Sequence, residues 1–190
     1  MRMTAANILT LSRLLLVPVF LALFFAGERG WSLAVFCIAG ATDLVDGTVA
    51  RMLKQHSQGG ALLDPIADKL LVQSCFISLA LMGVLPWWFA ALALARDVMI
   101  VCGIFYLERI KVALPYRPTM VSKFATLLQI CVAVLGLVSI WRPDYAVAGV
   151  AVGRVLILTM YVTALLIAAS GARYVQMGLG ILREHRAHHG

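Results

Sequence analysis

Asp43, Asp46, Asp64 and Asp68 are the residues whose type and spacing most directly prescribe chemistry. The run Asp43-Leu44-Val45-Asp46-Gly47-Thr48-Val49-Ala50-Arg51 is followed, after eight residues, by Gly60, Asp64 and Asp68. On a helix of about 3.6 residues per turn, positions 43, 46 and 50 share one face, and positions 64 and 68 share another. The short connection predicts two antiparallel neighbouring helices whose four carboxylates converge. Clustered carboxylate oxygens select hard divalent cations such as Mg²⁺, Mn²⁺ or Ca²⁺. Two such ions can bridge a diphosphate, neutralise developing charge and align an attacking hydroxyl. Gly47 and Ala50, with little or no side chain, let a ligand or a helix come close, and Gly59-Gly60 gives the connection freedom. A competing reading has the acids neutralised by Arg51, Lys54 and Lys69.

The elements that carry these residues are set by an apolar composition. The chain has 190 residues, 62% hydrophobic and 13% charged, with a mean hydropathy of +0.93. Soluble domains are roughly half apolar and a quarter charged, so lipid is the expected solvent. Hydropathy divides the chain into six segments, 8–26, 31–53, 61–85, 87–108, 121–141 and 146–172, with a tail at 173–190. A spanning helix needs roughly 20 apolar residues. The expected fold is therefore an all-α integral membrane protein, a single domain over 1–190 with six transmembrane helices. In that setting an acid at a helix centre costs about 2.5–3.5 kcal/mol. Four of the nine acidic residues in one place thus argue for a function.

Charge sets the orientation. With both termini in the cytoplasm, ten basic residues fall inside: Arg2, Arg51, Lys54, Arg109, Lys111, Arg117, Lys123, Arg173, Arg183 and Arg186. Two, Arg29 and Arg142, fall outside. This asymmetry places the acidic cluster on the cytoplasmic side of the cell (inner) membrane, with Trp31, Trp87, Trp88 and Trp141 near the outer ends. The net charge of +7 is dispersed rather than gathered in a stripe, which speaks against nucleic acid and for anionic membrane lipids or an anionic substrate. Cys37, Cys75, Cys102 and Cys131 lie in apolar segments without a CxxC pair, so neither a disulfide framework nor a zinc site is expected. The first apolar run has the length of a signal peptide, but Phe24 and Phe25 precede Ala26 without a small-x-small cleavage site. It is read as a retained span.

The pattern D-x2-D-G-x2-A-R-x8-G-x3-D-x3-D resembles the signature of the CDP-alcohol phosphatidyltransferase family. The chain matches each fixed position, with Asp43, Asp46, Gly47, Ala50, Arg51, Gly60, Asp64 and Asp68. The family's six-span layout covers nearly the whole chain. The resemblance implies transfer of a phosphoryl-bearing group from a CDP-linked lipid to an acceptor hydroxyl, with release of CMP. It implies that Asp43, Asp46 and Asp64 ligate Mg²⁺ or Mn²⁺, two ions in all, and that Asp68 acts as general base with a metal role as well. It implies that Gly47, Ala50, Arg51 and Gly60 bind the CDP-lipid, and that the protein is a homodimer. The opening Asn7-Ile-Leu-Thr10-Leu-Ser-Arg13 resembles the N-L-T-x-x-R start of phospholipid-synthesising members, adding Asn7, Thr10 and Arg13 to that site. Arg13 also has a plainer reading, snorkelling to the interface.

Three further features bear on the acceptor. Arg96-Asp97 lies mid-segment, as an internal ion pair or with Arg96 in an acceptor pocket. The block Arg117-Pro-Thr119-Met-Val-Ser122-Lys123-Phe-Ala-Thr126-Leu-Leu-Gln129 and the stretch Arg96-Asp97-Val-Met resemble blocks of eukaryotic-type cardiolipin synthases. Arg117 and Lys123 could hold an acceptor phosphate, or simply supply positive-inside charge beside a helix cap. The resemblance points to CDP-diacylglycerol as donor and phosphatidylglycerol as acceptor. Glycerol 3-phosphate, as in phosphatidylglycerophosphate synthases, comes second, and a myo-inositol-type acceptor third. A reading of another class is a divalent-cation transporter, although such sites usually lie near the midplane on broken or repeated helices. Arg154 reads as a structural pairing, and the tail with His185, His188 and His189 as a solvated basic segment.

Overall fold

The computed structural model describes the backbone of residues 5–53, 60–109, 120–147 and 149–189, and the side chains of 14–42, 69–103, 120–147 and 149–177. Among these the chain forms six helices: α1 (Ala5–Phe25), α2 (Arg29–Leu53), α3 (Gly60–Leu81), α4 (Trp87–Arg109), α5 (Met120–Trp141) and α6 (Val152–His189). A two-strand hairpin, β1 (Ala146–Val147) and β2 (Val150–Ala151), precedes α6.

The helix ends follow from backbone chemistry. Gly27 and Gly83 have φ of 85° and 72°, the left-handed conformation that stops a helix at low steric cost. In both, the residue after the glycine donates back across the last turn, Glu28 to the Leu23 carbonyl and Val84 to the Leu79 carbonyl. The third apolar segment, expected to reach residue 85, is therefore helical only to Leu81. The sixth segment differs at both ends. Residues 146–147 pair with 150–151, and Val152 donates to the Tyr145 carbonyl at 3.0 Å, so α6 starts at Val152 rather than 146. It then continues through the expected tail to His189, because hydropathy reports where lipid contact ends, not where i→i−4 bonding ends.

α1 packs on α2 and α3, α5 on α6 and α2, and α4 on α6 and α3. Phe20, Phe24 and Phe36 form one aromatic cluster, and Phe76 meets Phe89 edge-on at 5.2 Å. α3 and α5 approach closely: a Cβ built on Gly136 would lie 2.5 Å from Leu79 Cδ1. Outside this core the helices expose large apolar side chains, among them Ile38, Leu158 and Leu165, the last at 72%. Such surfaces are costly in water and suited to lipid. Among the described residues, Met120–Trp141 and Val152–Met177 are long and apolar enough to cross a bilayer. All four tryptophans are exposed, on the first turns of α2 and α4 and the last of α5. Arg29 Nη1 donates to the Ile140 carbonyl at 2.8 Å, bringing the start of α2 to the end of α5.

Candidate active site

The helical register decides where the acidic residues fall. In α2 the buried stripe runs Ser32, Phe36, Ala39. Continued at alternating steps of four and three, it passes through Asp43, Asp46 and Ala50 on the same unbroken helix. In α3 the stripe Ser78, Cys75, Leu71, followed toward the N-terminus, reaches Asp68 and then Asp64. Both acid pairs thus occupy register positions that extend the core-facing lines of their helices. In α1 the line Phe24, Phe20, Val17 leads to Arg13 and Thr10, with Asn7 one turn earlier. The side chains of Asn7, Thr10, Arg13, Asp43, Asp46, Gly47, Ala50, Arg51, Gly60, Asp64 and Asp68 lie outside the described residues. Arg117 lies outside them altogether.

Both pairs lie toward the same end of the bundle: Leu79 abuts Gly136 and Arg29 reaches Ile140 near the other end, and the acids follow Arg29 in α2 and precede Leu79 in α3. α2 and α3 also touch one another. A donor set of oxygens only, drawn from two helices, fits a hard divalent cation.

Lys69, which follows Asp68 in the chain, belongs to an ion network among the described side chains. The Asp97 carboxylate, on α4, accepts from Lys69 Nζ at 2.5 Å, Arg96 Nη1 at 2.8 Å and Gln73 Nε2 at 3.2 Å. Arg96 Nη2 donates to Ser122 Oγ on α5. Arg96 and Asp97 are buried, and Lys69 is partly so. Uncompensated, each of these charges would cost several kcal/mol in an apolar interior; shared donors and acceptors offset that cost. The internal ion pair of Arg96 and Asp97 is thus present, and it leaves Arg96 Nε without a partner among the described residues. Lys69, one of the cations that could have neutralised the four aspartates, is paired with Asp97 instead.

α5 supplies a polar line to the same region. Ser122 and Gln129 are buried and Thr126 is half-buried, whereas Lys123 is exposed. Among the described residues, Gln73 Oε1, Arg96 Nε and Gln129 Nε2 are buried without a hydrogen-bond partner. Arg154 is exposed on α6. Sequence reasoning had passed over Gln73 and had not joined Lys69 to Asp97. The available signal was the i, i+4 spacing of Lys69 and Gln73, in phase with a buried acid on the next helix.

Residues 3–168 match the profile of the family described as CDP-alcohol phosphatidyltransferase. The chain is similar to a protein of Mycobacterium tuberculosis named "probable phosphatidylglycerophosphate synthase", 48% identical over 49% of this chain and 47% of that protein. It is similar to the cardiolipin synthase (CMP-forming) of Streptomyces coelicolor, 39% identical over 56% of this chain and 53% of the relative. It is also similar to the human cardiolipin synthase (CMP-forming), 32% identical over 67% of this chain and 48% of the relative. The chain spans about half the length of the curated relatives it matches.

Proposed function

The chain belongs to the CDP-alcohol phosphatidyltransferase family, and on that premise we propose that it is a membrane enzyme of phospholipid synthesis. Its reaction is transfer of the phosphatidyl group from CDP-diacylglycerol to an acceptor hydroxyl, releasing CMP. The observation that carries this reading is that Asp43, Asp46, Asp64 and Asp68 continue the register of the buried lines of α2 and α3 toward one end of the bundle, within the matched residues.

In this proposal the four aspartates hold two Mg²⁺ or Mn²⁺ ions, which when bound neutralise the diphosphate and the charge gathering on the departing CMP. Asn7, Thr10, Arg13, Gly47, Ala50, Arg51 and Gly60 bind the CDP-lipid. Arg96, Arg117 and Lys123 orient the acceptor. The acceptor oxygen attacks the lipid-bearing phosphorus, a new P–O bond forms, and the P–O bond to CMP breaks. Asp68 takes the hydroxyl proton as general base. No covalent enzyme intermediate is needed.

Phosphatidylglycerol is the proposed acceptor, supported by the relatives named cardiolipin synthase and by the buried Ser122 and Gln129 of the α5 block. Glycerol 3-phosphate is the second reading, favoured by the 48% identity to the phosphatidylglycerophosphate synthase relative. The proposed setting is the cell (inner) membrane, with one domain over 1–190, six spans, termini and site on the cytoplasmic side, and a homodimeric assembly. The excess of inner basic residues and the exposed tryptophans support that orientation. The transporter reading draws no support from the family match.

The test is an acceptor panel. The purified full chain receives labelled CDP-diacylglycerol, Mn²⁺ or Mg²⁺, and either phosphatidylglycerol or glycerol 3-phosphate. CMP release with one acceptor, and a lipid product of matching mass, is the expected result. A transporter or a scaffold would release no CMP with either.

A further inference from the structure

Asp97 sits between two cations, one of which directly follows the proposed general base in the chain, and this placement assigns it a task. Lys69 and Arg96 bring two positive charges into a buried region, and among the described residues Asp97 is the acid bonded to both. Lys69 directly follows Asp68 in α3, so its Cα is about 3.8 Å from that of the proposed general base. Adjacent helical residues do not face each other, and the ammonium is drawn across to α4 by the 2.5 Å contact with Asp97. Gln73, one turn along α3, donates to the second Asp97 oxygen. Arg96 is held by the same carboxylate and by Ser122. The anion therefore fixes both cations in direction and cancels half of their charge.

We infer that Asp97 is a positioning residue for the carboxylate site: by holding the Lys69 ammonium and the Arg96 guanidinium, it keeps buried positive charge off Asp68 and its neighbours, leaving them free for divalent cations. The inference rests on the metal-dependent reading above. Without Asp97 the Lys69 and Arg96 charges would lose the carboxylate that both bond, and would repel a divalent ion held at Asp68 next to Lys69 in the chain. At an effective dielectric constant of about 20, that repulsion weakens binding of a divalent ion by roughly tenfold or more.

The experiment is Mn²⁺ binding to the detergent-purified full chain, followed by loss of the free-ion electron paramagnetic resonance signal, with CMP release measured in parallel. For Asp97→Asn the half-saturating Mn²⁺ concentration should rise by about tenfold or more. The double variant Lys69→Met/Asp97→Asn, which removes one cation along with the anion, should return to within about threefold of wild type. Lys69→Met alone should bind Mn²⁺ at least as well as wild type, and Asp97→Glu, which retains the charge, should stay close to it. Unchanged Mn²⁺ affinity in Asp97→Asn overturns the inference, as does failure of the double variant to recover. If Asp97→Asn does not fold, the other two single variants decide: weakened binding in Lys69→Met, or tenfold weaker binding in Asp97→Glu, overturns it. In each of these cases the wild type still binds Mn²⁺ and releases CMP, so only the role of Asp97 falls. A wild type that does neither overturns both the role and the reaction.

Discussion

The two ends of the bundle are built on the same helical lines from opposite materials. Toward the tryptophan-bearing end the lines carry Phe20, Phe24, Phe36, Leu79 and Phe89, all buried and interlocked. Toward the other end the same lines arrive at Asp43, Asp46, Asp64 and Asp68, flanked by the Lys69–Asp97–Arg96 network. The apolar end buries large side chains against one another and draws its stability from close packing. The polar end places charge where lipid or protein would otherwise lie, which costs free energy that only bound cations, substrate or paired side chains offset. The contrast divides the labour: one half holds the helices in register, and the other uses that register.

Substitutions in the two halves should therefore have separable effects. The largest expected effect is at Asp68. Asp68→Asn should lower CMP release by about 10²–10⁴-fold, the range of a lost general base, with an unchanged melting temperature in detergent. Near-normal turnover would remove Asp68 from the mechanism. Removing divalent ions with a chelator should stop CMP release, and adding Mn²⁺ should restore it; turnover persisting in chelator would contradict the metal assignment. In the apolar half, Phe76→Ala should cost about 3–5 kcal/mol of stability, seen as a lower thermal midpoint, while turnover per folded molecule stays near wild type. Gly136→Ala should cost about 1–3 kcal/mol, because its methyl group meets Leu79. Leu79→Ala in the same chain should relieve part of that clash. Arg29→Ala, which loses one exposed bond to the Ile140 carbonyl, should cost about 0.5 kcal/mol and leave CMP release intact. A loss of turnover in Phe76→Ala without loss of folded protein would break the division between the halves.

Much of this was legible in the sequence because apolar runs and acid spacing are local properties. Five of the six segments begin within three residues of the observed helices, and the i, i+3 and i, i+4 acid pairs were visible without coordinates. What stayed hidden was set by neighbours distant in the chain. Lys69 beside Asp68 looked like a counter-ion for the aspartates, and only the packing of α3 on α4 reveals Asp97 as its partner. Arg96 carried two readings because mid-helix position alone does not say which neighbour a guanidinium meets. The pairing of 146–147 with 150–151 escapes a hydropathy reading because Ala and Val are equally at home in an apolar helix.

The unbroken α2 makes the acid pair behave like a mark on a screw. Each residue turns the thread by about 100°, so Ala39 and Asp43 are locked in angular phase by the turn between them. A single-residue insertion there would leave every side chain chemically intact and still swing Asp43 and Asp46 by more than a quarter revolution. Pitch, as much as charge, is then what such a site requires of its sequence, and length changes in this turn should be tolerated far less than exchanges of residue type.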